Sequence, residues 1–191
     1  MKRLLFITIL LLQTAIYAQK PCEFASDFTD SIGSYKETKT KIMHERIFGN
    51  SSSYLIFSLV KANDIPVLKL QTINKSKDFI KVNCFEKNSR IFLQLANGKV
   101  ITLMIADEGN CGTMLRDEAQ TSNIRVTSAN FLFMINSFED LKKSPITMVR
   151  VRYSATETVD YMIRENLVSE MDKETYHPDR FFIENIPCIE K

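Results

Sequence analysis

Alternation of apolar and polar residues, the two-residue period of a half-buried β-strand, dominates the chain beyond residue 18. Val, Ile, Leu, Phe and Thr fill these stretches, and polar residues interrupt them at short intervals. The pattern predicts a mainly β (α+β) fold, either a single antiparallel β-sheet or a sandwich or barrel-like domain. The predicted strands cover residues 54–61, 67–73, 79–85, 90–96, 100–106, 124–126, 130–135, 146–153 and 159–163, with a further, more exposed strand at 38–47.

Asn97-Gly98 is the clearest turn signal in the chain. Both central positions of a type I′ turn need positive φ, which Asn and Gly tolerate, and the two flanking segments are apolar. We therefore expect a two-residue hairpin turn. The register that follows from this turn pairs Leu95 with Val100, Leu93 with Thr102 and Ile91 with Met104.

A short helix is predicted near residues 137–143, between two strands. Asn136 and Ser137 are potential N-caps. Glu139 and Asp140 place acidic groups near the positive end of the helix dipole, and Pro145 ends the helix.

The C-terminal part also departs from the strand period. Leu167 and Met171 are four residues apart, and Phe182 and Ile186 share the same spacing. Pro178 suits the first position of a helix, where its missing N–H is not needed. These signals predict two short C-terminal helices that cover the sheet.

The first residues have the pattern of a secretory signal peptide. Lys2 and Arg3 precede an apolar run over residues 4–12, and Ala18 is the small residue expected at a cleavage site. We predict a signal peptide at 1–18 and a single β-rich domain at 19–191, exported to the periplasm or the extracellular space. An uncleaved anchor helix is the alternative. Later apolar runs are only strand-sized, so no membrane span is expected in the mature chain.

Four cysteines in an exported chain suggest two disulfides, and four cysteines allow three pairings. Cys22 and Cys188 lie near the two ends of the mature chain, where a bridge would hold termini that otherwise fray. Extending the hairpin register backward places Cys84 opposite Cys111, if the ladder runs so far. A turn at residues 86–89 would break that register, and two buried free thiols are the alternative to a second bridge.

Charge excludes one class of partner. Without Lys2 and Arg3, the chain carries as many Lys and Arg residues as Asp and Glu residues. A neutral chain without a basic block lacks the positive surface that binding to nucleic acid requires. No nucleic-acid partner is therefore expected.

Several stretches of the chain resemble a loose group of exported β-rich proteins of Gram-negative bacteria for which no activity is established. The stretches that carry the resemblance are residues 22–24, 27–29, 92–103, 138–143, 146–152 and 186–189. The resemblance implies a β-rich fold and a terminal cysteine pair, and it implies no catalytic residue. Many members look like lipoproteins, whereas Cys22 here follows Gln19-Lys20-Pro21 and lacks the small residues of a lipoprotein cleavage site.

The sequence contains few candidate residues for catalysis or metal binding. The two histidines, His44 and His177, have no further ligand at the spacing of a zinc site, and five glycines form no phosphate-binding loop. The EF-hand pattern is missing around Asp107, Glu108 and Asn110, so a solvated loop explains these residues better than a calcium site does. We predict no catalytic residue, no metal and no cofactor.

The function hypothesis that remains is a non-enzymatic exported β-scaffold that binds a protein, a glycan or another envelope component. Its candidate binding surface is an edge strand with Thr38, Thr40, Ile42 and His44, since an exposed edge can pair with a partner strand. One alternative is an exported hydrolase with a carboxylate site in the loop at residues 107–117. A second alternative is a structural envelope protein without a discrete ligand.

Overall fold

A computed structural model of the chain describes residues 21–107 and 109–190, so the predicted signal peptide and its cleavage site lie outside the described residues. The mainly β prediction is confirmed. In the described part, eleven strands form one antiparallel sheet and two more form a separate small sheet. The strands are β1 (Phe24–Thr29), β2 (Ser34–Thr38), β3 (Lys41–Phe48), β4 (Ser51–Ala62), β5 (Ile65–Ser76), β6 (Arg90–Leu95), β7 (Val100–Ile105), β8 (Thr113–Asp117), β9 (Ser122–Phe133), β10 (Ile146–Arg152), β11 (Thr158–Met162), β12 (Leu167–Val168) and β13 (Thr175–Tyr176). The helices are α1 (Ser137–Leu141) and α2 (Phe181–Glu190), and a 3₁₀ turn (Pro178–Arg180) precedes α2. Helix α1 lies between β9 and β10, and α2 ends the described chain.

Three long strands, β4, β5 and β9, form the centre of the large sheet and pair in that order. The outer edge of β4 is shared by β3 and β2, and the far edge of β9 is shared by β8 and β7. From β7 the sheet continues through β6 and β10 to β11. Buried side chains from both halves meet in one core, so the sheet curves around that core. The curved sheet does not close into a barrel, because its terminal strands β1 and β11 are not paired with each other.

The core lies on the inner, concave face of this sheet. Alternate residues of β4, among them Leu55, Phe57 and Leu59, point inward and are fully buried. Helix α2 covers one end of the core, where Phe181 and Phe182 pack their rings on Phe57 with centroid distances of 5.7 and 6.3 Å. The predicted role of Pro178 is confirmed, because it opens the 3₁₀ turn that leads into α2.

The outer face carries a smaller apolar cluster, which corrects one prediction. The helix expected around Leu167 and Met171 is wrong, since Leu167 begins β12 and pairs with Tyr176 of β13. Leu167 and Tyr176 pack on Ile42 and Ile56 of the large sheet. The four-residue spacing of Leu167 and Met171 does not reflect a helix, because the chain turns back between β12 and β13 and Met171 is half exposed.

The β6–β7 hairpin is confirmed, but its predicted turn type and register are wrong. Leu95 donates its N–H to the Lys99 carbonyl at 2.9 Å, and only Gly98 of the Asn-Gly pair has positive φ, so the loop has three residues. This moves the register by one residue, and a slip of one residue exchanges the two faces of a strand. The observed pairs are Gln94 with Val100, Leu93 with Ile101, Phe92 with Thr102, Ile91 with Leu103 and Arg90 with Met104. The slip buries Ile101 and Leu103 instead of Val100 and Met104.

Two other predicted elements also differ. The strand expected at residues 79–85 is absent, and within this segment only Phe85 forms an isolated bridge, to Asn110. Phe79 is 82% exposed while Ile80 and Phe85 are buried, so the apolar residues do not share one face. The two predicted segments at 124–126 and 130–135 form the single strand β9, because β5 pairs with it continuously across Thr127 and Ala129.

Both predicted disulfides, Cys22–Cys188 and Cys84–Cys111, are confirmed. The second forms without the long ladder that suggested it, since residues 86–89 make a turn closed by the Ser89 N–H and the Glu86 carbonyl at 2.8 Å. Two disulfides fit an oxidising environment. Neither α1, α2 nor the 3₁₀ turn, the helices of the described residues, combines the length and hydropathy that crossing a membrane demands.

Candidate functional site

The inner face of the sheet changes from apolar to polar along the three central strands. At one end each cross-strand row is aliphatic or aromatic, whereas at the other end the inward positions carry hydroxyl, amide and guanidinium groups. From the apolar to the polar end, the rows on β4, β5 and β9 are Leu59–Leu68–Phe131, Phe57–Leu70–Ala129, Leu55–Thr72–Thr127 and Ser53–Asn74–Arg125.

A β-bulge in β3 extends the polar rows to a fourth strand. The register shifts between Ile42 and His44, so Ile42 packs on the outer face while Met43 is buried in the inner core. The inserted residue aims the next side chains inward, which is a known effect of a bulge. His44 therefore lies opposite Leu55, and Arg46 lies opposite Ser53.

These polar positions enclose a cavity of about 180 Å³. Residues of β3, β4, β5 and β9 form one side. The other side is formed by residues of β11, by Tyr153 directly after β10, and by the segment before β6. The residues that line it are His44, Arg46, Ser53, Thr72, Asn74, Lys81, Asn83, Arg125, Thr127, Tyr153, Val159, Asp160 and Tyr161.

A wider and more open cleft of about 430 Å³ adjoins this cavity, and Arg46, Ser53 and Asn74 line both. Phe48 and Phe79 stand at the rim of the cleft and are 74% and 82% exposed. The polar end of the inner face is thus open to solvent through a mouth with two exposed aromatic rings.

His44 connects the two sides of the cavity. Its Nδ1 lies 3.1 Å from the carbonyl oxygen of Met162, and its ring meets the Tyr161 ring edge-on with centroids 5.4 Å apart. A carbonyl only accepts hydrogen bonds, so Nδ1 is the donor in this contact. This hydrogen bond links β3 to β11 across the gap between these two strands, which do not pair with each other in the sheet.

Two tyrosines supply neutral hydrogen-bonding groups to the cavity wall. The hydroxyl oxygens of Tyr153 and Tyr161 are 3.4 Å apart. Burial raises the pKa of both phenols, and for Tyr153 the nearby Tyr161 adds to the increase. Because both phenols stay protonated at neutral pH, they act as hydrogen-bond donors and acceptors rather than as bases.

Asp160 is the single carboxylate among the residues that line the cavity. Arg150 binds both of its oxygens, at 2.6 and 2.7 Å, and these hydrogen bonds lower the pKa of Asp160. Lys81 is paired with Glu157 at 2.6 Å. The Asp160 carboxylate is therefore neutralised by Arg150, which does not itself line the cavity.

The structure separates the four residues of the predicted edge-strand surface. Thr38 is buried in β2, where its Oγ1 accepts the Leu59 N–H, and Ile42 is buried under the β12–β13 hairpin. Thr40 is exposed between β2 and β3, and His44 lines the cavity. The four side chains thus share no common surface, and partner binding along this segment stays a prediction.

The carboxylates of the predicted hydrolase loop have structural partners. Asp107 accepts hydrogen bonds from the backbone and side chain of Asn130, and a hydrogen bond from Lys75 lowers the pKa of Asp117. Asn110 bridges the Ser128 carbonyl and the Gly112 N–H, and Glu108 lies outside the described residues. Within residues 21–107 and 109–190, no three His, Cys, Asp or Glu side chains are arranged to hold a metal ion.

Sequence reasoning missed most of the cavity, including Arg125, Tyr153 and Asn83. One signal was present, because Arg125 lies in the predicted strand segment 124–126 and Thr127, two residues later, is also polar. Their face could not be assigned without the register of β9 against β5. Neither a protein-family model, nor a curated protein, nor a solved structure matches this chain.

Proposed function

We propose that the protein is an exported, non-enzymatic binding module that holds a small molecule, or a small exposed group of an envelope component, in the inner-face cavity. One observation carries the proposal. The inner face of a sheet, which elsewhere in this molecule is a packed apolar core, changes at one end into a polar cavity of about 180 Å³ with an open mouth.

Stability alone does not account for that change. Inward-facing polar groups cost free energy unless they are hydrogen-bonded, and aliphatic side chains at these positions would extend the core. Concave sites with convergent polar groups on a rigid scaffold are the usual form of small-ligand sites. Ser53, Asn74 and Arg125 therefore point to recognition of a ligand.

Export is part of the same proposal. The apolar run at residues 4–12 behind Lys2 and Arg3 favours a cleaved signal peptide, and the two disulfides favour an oxidising compartment. The periplasm or the extracellular space is the proposed location, and an envelope molecule is the proposed partner.

The geometry gives less support to a carboxylate hydrolase. A glycosidase uses two carboxyl groups with different environments across its cleft. In this cavity Asp160 has no second carboxylate opposite it, and Arg150 holds it in the ionised form. A binding role is the function that this arrangement supports best.

Native mass spectrometry of protein isolated from the envelope fraction of the producing cell tests the proposal. The wild type is compared with Ser53→Phe, which fills the cavity, and with Ser52→Phe. Ser52 is the matched control because it is also half-buried and lines the open cleft but not the cavity. As the neighbouring residue of the strand, it points its side chain to the other side of the sheet.

We expect wild type and Ser52→Phe to carry a small molecule that denaturation releases, and Ser53→Phe to lack it. Equal retention by Ser53→Phe, or no bound molecule on any of the three proteins, would contradict a ligand site in the cavity.

A further inference from the structure

The charges that line the inner-face cavity favour a negatively charged ligand. Arg46, Lys81 and Arg125 are cationic, and Asp160 is the one anionic residue of the lining. Arg150 neutralises Asp160 and Glu157 partly neutralises Lys81, whereas Arg46 and Arg125 have no carboxylate partner among the described residues. The cavity therefore has uncompensated positive charge.

The two unpaired arginines stand at the ends of one cross-strand row. Arg46 pairs with Ser53, Ser53 with Asn74, and Asn74 with Arg125, so the two arginines are three strands apart on the same inner face. Neighbouring strands are about 4.8 Å apart, which separates the two backbones by about 14 Å. Two arginine side chains can span that distance and reach a small anion above Ser53 and Asn74 from opposite sides.

Two buried polar atoms of the cavity residues have no hydrogen-bond partner in the part of the chain that the structure describes. They are Nε of Arg125, a donor, and Oδ1 of Asn83, an acceptor. The guanidinium of Arg125 is fixed on its other side, where NH1 donates to the Cys111 carbonyl at 3.0 Å. A buried polar atom without a partner is costly, and such atoms are commonly satisfied by a bound molecule.

We propose that the cavity binds an oxyanion, a phosphate or carboxylate group, that carries a hydroxyl group beside its charge. Arginine guanidinium groups bind both kinds of oxyanion through paired N–H donors, and Arg125 and Arg46 supply them. The hydroxyl of the ligand donates to Asn83. This inference rests on the proposed function, since it names the chemistry of the ligand in the same cavity.

Inorganic phosphate is the probe, because at neutral pH it has both acceptor oxygens and a P–OH donor. Sulfate, a tetrahedral oxyanion without the hydroxyl at that pH, is the second probe. Binding is followed by NMR through the side-chain Nε–H resonance of Arg125 and by the shift in melting temperature. The concentrations extend to about ten times a millimolar dissociation constant.

The variants are Arg125→Gln, the more exposed Arg46→Gln, and Arg116→Gln as the control. Arg116 lies on the neighbouring strand β8, does not line the cavity and contacts Asn123. Circular dichroism shows whether each variant is folded. If Arg125→Gln does not fold, Arg46→Gln still tests the inference.

We expect saturable binding of phosphate that is weakened at least tenfold in Arg125→Gln and in Arg46→Gln and unchanged in Arg116→Gln, since a hydrogen bond to a charged group supports a factor of roughly that size. Sulfate should bind more weakly than phosphate. The inference is overturned by an unmoved Arg125 Nε resonance, by wild-type affinity in both cavity variants, or by sulfate binding as tightly as phosphate.

The two proposals fail in different ways. If native mass spectrometry finds an uncharged molecule in the wild type while phosphate produces no response, the oxyanion inference is wrong and the cavity remains a binding site. If no molecule is retained and phosphate does not bind, both proposals are wrong.

Discussion

The two ends of the inner sheet face are built from the same three strands, β4, β5 and β9, and differ in the side chains that point inward. At the apolar end, Phe57, Leu70 and Ala129 form a buried row that α2 covers with Phe181 and Phe182. At the polar end, the equivalent row ends in Arg125 and borders an open cavity. The same strand alternation therefore builds a packed core at one end and an open polar cavity, the proposed binding site, at the other.

Each end also has its own disulfide. Cys22–Cys188 ties the start of the described chain to α2 at the apolar end. Cys84–Cys111 lies beside the cavity. Cys84 directly follows Asn83 in the chain, and the Cys111 carbonyl accepts the hydrogen bond from Arg125. The first bridge therefore supports the core, and the second supports the site.

The largest expected effect is the loss of the terminal bridge. Its two cysteines are 166 residues apart, against 27 for the other bridge. Closing these loops in the unfolded chain contributes about 5 and about 3.5 kcal/mol in the chain-entropy model. We expect the double variant Cys22→Ser/Cys188→Ser to lose more stability in urea unfolding than Cys84→Ser/Cys111→Ser.

Only the second pair should change ligand affinity, because it lies beside Arg125 and Asn83. Equal loss of phosphate affinity in both double variants, with both folded, would show that the two ends are not independent.

The next effect concerns packing. Phe57→Ala removes a fully buried aromatic ring and is expected to cost about 3–5 kcal/mol of unfolding free energy. Ser53→Ala, four residues earlier on the same face of β4, should change stability by no more than about 0.5 kcal/mol. Urea denaturation of both variants measures the difference, and similar losses would mean that Ser53 is part of a packed core.

A pH-dependent effect at the polar end follows from Tyr153. Burial raises its folded-state pKa above the ordinary value of about 10, so folding favours the neutral phenol. That contribution to stability is complete below pH 10 and is lost as the pH rises further, at up to about 1.4 kcal/mol per pH unit.

Tyr153→Phe removes this loss, and the stability of the variant should fall less steeply than that of the wild type between pH 9 and about pH 11. Tyr54→Phe, at a half-buried position on the outer face, is the control. Parallel curves for Tyr153→Phe and the wild type in urea unfolding would contradict burial of the Tyr153 phenol.

The smallest effect is expected at the gap in the sheet. One hydrogen bond, from His44 to the Met162 carbonyl, links β3 to β11, and its removal in His44→Gln should cost about 1 kcal/mol. Amide hydrogens of β11 should then exchange faster, measured by hydrogen-exchange mass spectrometry. His177→Gln is the control, because His177 contacts the Glu165 carbonyl away from this gap. Unchanged exchange in His44→Gln would show that the contact does not hold β11.

Local chemistry predicted much of the fold. Alternation located the long strands, Pro178 marked the start of the last helical segment, and the positions of Cys22 and Cys188 suggested their bridge. These signals depend on residues that are close in sequence or on the ends of the chain. They needed no knowledge of which strands are neighbours.

The candidate site could not be predicted in the same way, because it depends on register. The three-residue loop that contains Gly98 moved one hairpin by a residue, and the bulge after Ile42 turned His44 toward the inner face. Arg125 became a cavity residue only through its pairing with Asn74, which is 51 positions away in the chain. Such pairings are set by the packing of the whole sheet.

A phosphate titration of Ser53→Phe, run in parallel with Phe57→Leu, tests whether the polar end of the inner face is the binding site and the apolar end is the core. We expect Ser53→Phe to lose phosphate binding but to melt close to the wild-type temperature. We expect Phe57→Leu to melt earlier and to bind phosphate with wild-type affinity. Retained affinity in Ser53→Phe, or its loss in a folded Phe57→Leu protein, would contradict the division of the inner face into these two ends.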